Sequence, residues 1–247
     1  MNISVYFTPL GMTPGDVAHR PVLVVDILRA TTTIVAAFAS GARDVLPVGA
    51  ADEAIRIAQS LKHDDVLLVG ERRGERISGF ALGNSPREMT PELVGGKTLV
   101  MTTTNGTPAV TAAEAGSPVI IGAATNFQAA ADRAREAFAE AKELVILCAG
   151  RERRFALEDA YAAGRFAQAV IPTGQRRSVQ LNDAAIAALE IAKRYGDRWK
   201  RAVQASAAAK ELSRIGLEED VVAATEVDCC DLVPLYSERR VTVSDHR

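Results

Sequence analysis

The sequence predicts an α/β fold, with a mostly parallel sheet, helices on its faces and a C-terminal helical appendage. Short runs rich in Val, Ile and Leu alternate along the chain with longer, Ala-rich segments. Runs that are apolar throughout are typical of strands buried on both faces, and strand–helix alternation is typical of parallel sheets. A chain of 247 residues can bury a large core, so we predict one domain over residues 1–247.

The hydrophobic pattern places the individual elements. The predicted strands are residues 3–7, 22–25, 44–48, 66–69, 97–101, 119–121 and 144–147. The predicted helices are residues 34–39, 51–61, 109–115, 127–142 and 156–168. Two further Ala-rich helices, 184–195 and 202–213, are predicted as the arms of a helical hairpin within 183–215, and a final segment begins at Leu217 and ends at 232–235.

Composition and charge exclude several classes of function. The formal net charge of -2 and the pI near 6.0 give no basic surface for nucleic acid, and no apolar run is long enough to span a membrane. The first residues lack the basic and apolar regions of a signal peptide. Cys148, Cys229 and Cys230 show neither a disulfide framework nor zinc spacing. We therefore expect a cytoplasmic protein that binds neither nucleic acid nor membrane.

The stretch at residues 22–33 organises the predicted site. A Val-rich strand ends at Asp26, Arg29 follows, and three threonines lead into the helix at 34–39. Threonine suits the N-cap and first turn of a helix. An acid, a guanidinium and hydroxyls would then meet at the carboxyl end of a strand, the usual anion site of an open α/β sheet. The alternative is a plain strand, a capped helix and an Arg29–Asp26 pair.

Polar groups also follow other predicted strands. Glu71 and Arg72 follow one strand, residues 102–105 another, Asn126 a third, and Gly150 with Arg151 a fourth. Because parallel strands share one carboxyl edge, we expect these groups to lie close together. Carboxylates for Mg²⁺, arginines for bidentate contact and hydroxyls are suited to hold a phosphate ester with a divalent metal.

Three common phosphate-handling motifs are absent from the sequence. It has no G-x-x-x-x-G-K-[ST] loop and no G-x-G-x-x-G after a strand. A haloacid-dehalogenase-type phosphatase needs a second Asp two residues after its nucleophile, but Asp26 is followed by Ile27 and Leu28. These absences disfavour a P-loop NTPase, a dinucleotide-binding enzyme and that phosphatase class.

Taken together, the strand-end motifs resemble those of the 2-phosphosulfolactate phosphatase family. The matching stretches are VDILRATTTI at 25–34, GER at 70–72, GFALGNSP at 79–86, TTTNGT at 102–107, CAG at 148–150 and LEDAYAAG at 157–164. The resemblance extends from about residue 3 to 234. It implies an α/β fold unlike the common phosphatase folds and a Mg²⁺-dependent hydrolysis of 2-phospho-3-sulfolactate to 3-sulfolactate, a step towards coenzyme M in organisms that make it.

We assign hypothetical roles to the matching positions. The predicted catalytic residues are Asp26, Arg29, Glu71, Glu158 and Asp159, with Asp26 and Glu71 as the Mg²⁺ ligands. The predicted substrate-binding residues are Thr31, Thr32, Arg72, Asn84, Ser85, Thr103, Thr104, Asn105, Gly106 and Asn126. Each has a structural alternative: ion pairing for the strand-end acids, turn formation for Asn84 and Ser85, and helix-dipole stabilisation for Glu158 and Asp159.

Cys148 is interpreted as an inert core residue. Arg154 lies at the C-x₅-R spacing of cysteine phosphatases, but the neighbouring Arg151 and Arg153 make such a match easy to obtain by chance. A free cysteine is usually a small buried hydrophobe. We predict attack on phosphorus by water rather than by a thiolate.

The sequence departs from the family pattern at two places, which leaves the substrate open. Residues 206–212 contain the basic Lys210 but lack the His and Gly expected there, and Ala81 stands where an acid is usual. One rival hypothesis is a phosphatase for other phosphorylated 2-hydroxy acids. The other is a non-catalytic protein that binds a phosphorylated or sulfonated small acid. The alanine-rich faces between residues 184 and 209 are compatible with a homodimer, and the oligomeric state stays open.

Overall fold

The computed structural model describes residues 1–61, 65–174 and 178–243, and it has the predicted α/β architecture. The strands are β1 (Asn2–Tyr6), β2 (Val22–Val25), β3 (Asp44–Pro47), β4 (Val66–Arg72), β5 (Glu75–Arg76), β6 (Thr98–Thr102), β7 (Val119–Gly122), β8 (Glu143–Cys148), β9 (Gln180–Leu181), β10 (Leu235–Ser237) and β11 (Arg240–Thr242). The helices are α1 (Pro14–Val17), α2 (Ala30–Ala39), α3 (Ala51–Leu61), α4 (Pro91–Val94), α5 (Gly106–Ala112), α6 (Phe127–Ala141), α7 (Leu157–Val170), α8 (Asp183–Tyr195), α9 (Trp199–Gln204), α10 (Ala207–Arg214) and α11 (Glu218–Ala223).

Within the described residues, the strands form one 11-stranded sheet in the order β5-β4-β6-β3-β11-β10-β7-β2-β8-β1-β9. The long strands pair in parallel on both sides of its centre, β4–β6–β3 on one side and β7–β2–β8–β1 on the other. The prediction of a mostly parallel sheet is confirmed.

A C-terminal hairpin joins these two parallel halves. Its strand β10 pairs antiparallel with β7, and β11 pairs antiparallel with β3. The hairpin lies in a part of the sequence where we predicted no strand. Its strands are only three residues long, too short for their hydrophobic pattern to indicate a strand.

The sheet is buried on both faces, as its apolar strands predict. Along β2, Leu23 and Val25 belong to one hydrophobic cluster, with residues of α6, α7 and α8, while Val22 and Val24 belong to a second, with residues of α2 and α5. Successive side chains of a strand point to opposite faces, so each face of β2 packs under its own helix layer.

The helices after residue 183 differ in part from the predicted hairpin. Helix α8 packs closely on α7, since a Cβ placed on Gly164 would lie 2.0 Å from the Ala188 carbonyl oxygen. The predicted second arm, 202–213, is not continuous: α9 ends at Gln204 and α10 begins at Ala207. Ser206 separates them, and its hydroxyl caps α10 by accepting a hydrogen bond from the Ala209 N–H.

No helix in the described parts of the chain combines the length and the apolar character needed to cross a lipid bilayer.

Candidate active site

A cavity of about 190 Å³ lies where β2, β4, β6 and β8 end. Carboxylates from three of these strand ends line it: Asp26 after β2, Glu71 within the last residues of β4, and Glu158 in the first turn of α7 after β8. Helix α10 forms another wall through Ala208 and Leu212. The structure therefore brings the predicted strand-end acids together.

Thr31 and Thr32 build the turn between β2 and α2. The Thr31 hydroxyl accepts a hydrogen bond from the Asp26 N–H and donates one to the Asp26 carbonyl, while the Thr32 hydroxyl donates to the Ile27 carbonyl. Both side chains are buried, and neither lines the cavity. The structure thus places these two predicted substrate ligands behind the site, where they fix the backbone of Asp26 and Ile27.

The Asp26 carboxyl lines the cavity although it is almost fully buried. Burial, reinforced by the nearby charges of Glu158 and Glu71, raises the pKa of Asp26 to about 7. The carboxyl group that the sequence predicts at the centre of the site therefore keeps its proton to a higher pH than an exposed aspartate does.

Gly106, at the start of α5, allows the turns that follow β2 and β6 to touch. A Cβ placed on Gly106 would lie 2.4 Å from Asp26 Oδ2 and 2.2 Å from the Ala30 Cβ. Gly106 does not line the cavity. It is required for close packing, so its role differs from the predicted substrate contact.

Backbone and side-chain donors fix Glu71. Its Oε1 accepts a hydrogen bond from the Thr104 N–H at 2.7 Å, and Oε2 accepts one from the Gly74 N–H at 2.7 Å. The Thr104 hydroxyl also donates to Oε2, at 3.2 Å. These bonds satisfy part of its acceptor capacity and leave lone pairs for another ligand.

Glu158 and Asp159 are adjacent but occupy different positions. Glu158 lines the cavity, and its burial raises its pKa, while a hydrogen bond with Ser206 and the charge of Arg151 act in the opposite direction. Asp159 lies outside the cavity wall and accepts hydrogen bonds from the N–H groups of Ile27 and Gly150. Burial and the charges of Asp26 and Glu158 raise the pKa of Asp159 well above its usual range. Asp159 thus ties the ends of β2 and β8 together.

Arg29 lines the cavity and is held by a buried ion pair that the sequence did not reveal. Its Nη1 donates to Asp220 Oδ2 at 2.6 Å, and Nη2 donates to the Gly74 carbonyl at 2.7 Å. Asp220 Oδ1 accepts a bond from the Ser85 hydroxyl. Arg29 is therefore paired with Asp220, and the alternative of an Arg29–Asp26 pair is wrong. Asp220 comes 191 residues after Arg29, so no local motif could indicate it.

Two further arginines line the cavity. In the described part of the chain, the guanidinium groups of Arg73 and Arg151 have no hydrogen bond or ion-pair partner. The predicted ligand Arg72 is instead exposed outside the cavity and donates to the Glu71 carbonyl and the Thr102 hydroxyl. Arg72 and Arg73 are adjacent in the chain, but only Arg73 lines the cavity. Arg73 was not among the ligands predicted from the sequence.

The remaining predicted ligands divide between the cavity and its supports. Asn84, Thr103, Thr104 and Asn105 line the cavity. The Oδ1 of Asn84 is buried without a hydrogen-bond partner among the described residues.

Ser85 and Asn126 support the site from behind. The Ser85 hydroxyl binds Asp220. The Asn126 side chain accepts from the Ala123 N–H and donates to the carbonyls of Ile121 and Leu232, so its polar atoms hold the end of β7.

Cys148 lies in the core outside the cavity wall. Burial, with the charges of Asp159, Glu158 and Asp26, raises its pKa well above the usual thiol range. Arg154, at the C-x₅-R spacing, is exposed in a tight turn whose backbone pairs with Arg151. A protonated thiol without access to the cavity supports the inert interpretation.

The donor set is compatible with a hard divalent cation. Across residues 1–61, 65–174 and 178–243, no group of three or more His, Cys, Asp or Glu side chains is arranged to hold a metal. Mg²⁺, however, commonly uses one or two carboxylates and completes its shell with water. Asp26, surrounded by like charge, and the unpartnered oxygen of Asn84 are suitable ligands of that kind.

Comparison with known proteins identifies the family. The family model for 2-phosphosulpholactate phosphatase matches residues 6–239. The chain belongs to the 2-phosphosulfolactate phosphatase family. It is 39% identical over 229 residues to a probable 2-phosphosulfolactate phosphatase of Thermus thermophilus, covering 92% of each chain. It is 34% identical over 234 residues to one of Caldanaerobacter subterraneus subsp. tengcongensis, covering 95% of each.

Family membership confirms the resemblance drawn from the motifs. A probable 2-phosphosulfolactate phosphatase of Deinococcus radiodurans is likewise 39% identical over 220 residues, with 88% of each chain covered. The prediction of an enzyme, a phosphoric monoester hydrolase, is confirmed at the level of the 2-phosphosulfolactate phosphatase family. The residue roles and the metal remain predictions.

Proposed function

We propose that this chain is a Mg²⁺-dependent phosphatase that hydrolyses 2-phospho-3-sulfolactate to 3-sulfolactate and phosphate, as a cytoplasmic enzyme on the route to coenzyme M. The observation that carries the proposal is the meeting of Asp26, Glu71 and Glu158 with three arginines in one strand-end cavity. The names of the relatives support the substrate.

The charge around the cavity supports a requirement for a cation. Five acids and three arginines line it: Asp26, Glu71, Glu152, Glu158 and Glu211, with Arg29, Arg73 and Arg151. A substrate with several negative charges would be repelled by these acids in their ionised form. A divalent cation at Asp26 removes that repulsion, with Glu71 and the Asn84 oxygen as candidate further ligands.

The arginines support a substrate with more than one anionic group. Phosphosulfolactate carries a phosphate, a carboxylate and a sulfonate. Arg29 has two of its five N–H groups bonded within the protein, while Arg73 and Arg151 have no such bonds to the described residues. Guanidinium groups recognise each of these oxyanions through paired hydrogen bonds.

The cavity residues divide the work of hydrolysis. Arg29 binds the phosphoryl oxygens and stabilises the charge that develops on them. Glu158, whose raised pKa keeps its proton to higher pH, donates that proton to the leaving alkoxide. Bound Mg²⁺ supplies charge neutralisation and lowers the pKa of water. Leu212, on the facing wall, contributes an apolar side chain to the cavity lining.

A panel of 2-phospho acids tests the substrate. Phosphate release is measured in Mg²⁺ with phosphosulfolactate, phospholactate and 2-phosphomalate under the same conditions. The highest kcat/KM is expected for phosphosulfolactate, whose sulfonate adds a contact that phospholactate lacks. Equal values for phosphosulfolactate and phospholactate would reject sulfonate recognition and favour the broader 2-hydroxy acid phosphatase.

The same assay distinguishes catalysis from binding alone. A non-catalytic binding protein would bind phosphosulfolactate in calorimetry and release no phosphate from any ester in the panel. Turnover by wild type together with loss of turnover in Glu158→Gln would reject that alternative, because contamination by another phosphatase would be unaffected by the substitution.

A further inference from the structure

Asp220 connects three separate parts of the chain at the edge of the cavity. It lies on α11, its Oδ2 is 2.6 Å from Arg29 Nη1, and its Oδ1 accepts a hydrogen bond of 2.6 Å from the Ser85 hydroxyl. The side chains of Asp220 and Arg29 are 1% and 3% exposed. Both carboxylate oxygens are thus engaged in a region closed to solvent.

These bonds act on two residues that line the cavity. Arg29 is one of them, and its guanidinium is fixed on one side by Asp220 and on the other by the Gly74 carbonyl. Asn84 is the other, because it directly precedes Ser85 and its backbone carbonyl accepts a bond from the Thr33 hydroxyl. Asp220 itself does not line the cavity.

The negative charge of Asp220 also keeps the Arg29 guanidinium away from the other acids of the site. Arg29 without a partner would be a buried cation free to turn towards the carboxylates of Asp26 and Glu71, which line the same cavity. The ion pair from Nη1 to Asp220 and the hydrogen bond from Nη2 to the Gly74 carbonyl hold the guanidinium and leave its remaining N–H groups for a ligand.

We propose that Asp220 is a positioning residue of the active site, which holds the Arg29 guanidinium and, through Ser85, the Asn84 segment in place for the phosphoryl group. This inference rests on the proposed function. If Asp220 has this role, helix α11 contributes to the active site although none of its residues lines the cavity.

The test is a double-mutant cycle between Asp220→Asn and Arg29→Lys, read in kcat and KM for phosphosulfolactate. If Asp220 acts through Arg29, Asp220→Asn lowers kcat about tenfold or more with a smaller change in KM, because the contact matters most in the transition state. In the Arg29→Lys background the same change has less than about a twofold effect, since the two residues act as one unit.

Asp44→Asn is the matched control. Asp44 is also a buried carboxylate paired with an arginine, Arg240, but it lies on β3 outside the cavity. Asp44→Asn should lower stability while leaving kcat within about twofold of wild type. Wild-type kcat in Asp220→Asn, or losses that multiply in the double mutant, would overturn the inference.

A second variant, Ser85→Ala, and a measurement of phosphate binding test the inference independently of the folding of Asp220→Asn. If Asp220→Asn does not fold, Ser85→Ala leaves the carboxylate in place and removes the hydroxyl that donates to it and accepts from the Arg87 N–H, and an unchanged kcat there would overturn the inference. Calorimetry with inorganic phosphate and Mg²⁺ measures the same coupling without turnover. A wild type that binds phosphate but hydrolyses no ester refutes the proposed function alone, whereas a phosphate affinity and a kcat that Asp220→Asn both leave unchanged refute the positioning role.

Discussion

At the scale of single residues, the site is dominated by buried carboxyl groups whose pKa values are raised. Asp26, Glu158 and Asp159 all have pKa values above their usual range, and burial is the largest cause for each. Such acids make the folded state less stable as they ionise. A protein retains them where their charge is used, and here two of them line the cavity.

Asp26→Asn should flatten the pH dependence of stability in chelator. The pKa of Asp26 is raised to about 7 in the folded chain, against roughly 3.9 when unfolded. Its proton therefore stabilises the folded state fully below about pH 4, and that stability is lost as the pH rises through about 7. Melting temperatures from pH 5 to 8 should fall less steeply in Asp26→Asn, which should melt higher than wild type at pH 8. Parallel curves for the two proteins would contradict this reading.

Cys148→Ala should retain turnover. The thiol is buried outside the cavity and its raised pKa keeps it protonated, so it is unsuited to attack phosphorus. We expect kcat within about twofold of wild type and a stability loss on the order of 1 kcal/mol from the small void. Acid-quenched single turnovers analysed by mass spectrometry provide the check. A trapped phosphocysteine would show that the thiol is the nucleophile.

At the scale of elements, the site depends on contacts between turns that are far apart in the sheet order. Strands β2 and β6 are separated in the sheet by β3, β11, β10 and β7, yet the turns that follow them touch at Gly106 and Asp26. Sequence analysis placed both turns on the same edge because parallel strands share it. It could not show which turns meet, since that depends on the packing of α2 against α5.

Gly106→Ala should damage stability and activity together. The added methyl group would enter the space of Ala30 and Asp26, and overpacking of this kind typically costs about 1–3 kcal/mol. Displacement of Asp26 should also lower kcat by more than about tenfold. Gly49→Ala is the control, because a Cβ there meets nothing within 4 Å. Urea unfolding and steady-state kinetics on both variants provide the comparison, and a wild-type kcat in Gly106→Ala would contradict the contact.

At the scale of the whole molecule, the C-terminal hairpin makes the two parallel half-sheets into one. Tyr236 on β10 and Val241 on β11 are buried in the same cluster as Val45 on β3 and Val119 on β7. The strand ends that form the cavity come from both halves, β4 and β6 on one side and β2 and β8 on the other. Residues near the C-terminus therefore stabilise the site without lining it.

Tyr236→Ala should lower the unfolding free energy by about 3–5 kcal/mol, the usual cost of truncating a buried aromatic side chain. Tyr236 is 3% exposed and pairs with Val119 in the ladder. Ser237→Ala, at an exposed position of the same strand, should change stability by less than about 0.5 kcal/mol. Urea denaturation of the two variants measures this difference. Equal unfolding midpoints would show that the hairpin does not stabilise the junction between the two half-sheets.

Sequence reasoning predicted the features that depend on local pattern. The continuous apolar runs identified the parallel strands, and the acids directly after β2 and within β4 were correctly expected at one edge. The break before α10 was missed because Ser206 lies in an alanine-rich run that continues on both sides of it. Its role as the N-cap of α10 depends on the backbone conformation at that position, which the pattern of alanines does not indicate.

The parts of the site that sequence reasoning missed depend on tertiary contacts. Asp220 lies in an acidic run with no distinguishing neighbour, and only the fold brings it to Arg29. Arg73, rather than Arg72, lines the cavity because the turn after β4 directs it there. Thr31, Thr32 and Asn126 carry the right chemical groups but direct them to backbone atoms. The residue types predicted which chemical groups lie at the carboxyl edge of the sheet. They did not predict which of these side chains point into the cavity.

The most direct test of the account is phosphate release from 2-phospho-3-sulfolactate during a Mg²⁺ titration of wild type and Asp26→Asn. We predict saturable Mg²⁺-dependent turnover by wild type and loss of that turnover in excess chelator with the fold intact by circular dichroism. Asp26→Asn should lose at least about a hundredfold in kcat/KM and require more Mg²⁺. Full turnover of wild type in excess chelator, or wild-type kinetics in Asp26→Asn, would contradict a metal-dependent site centred on Asp26.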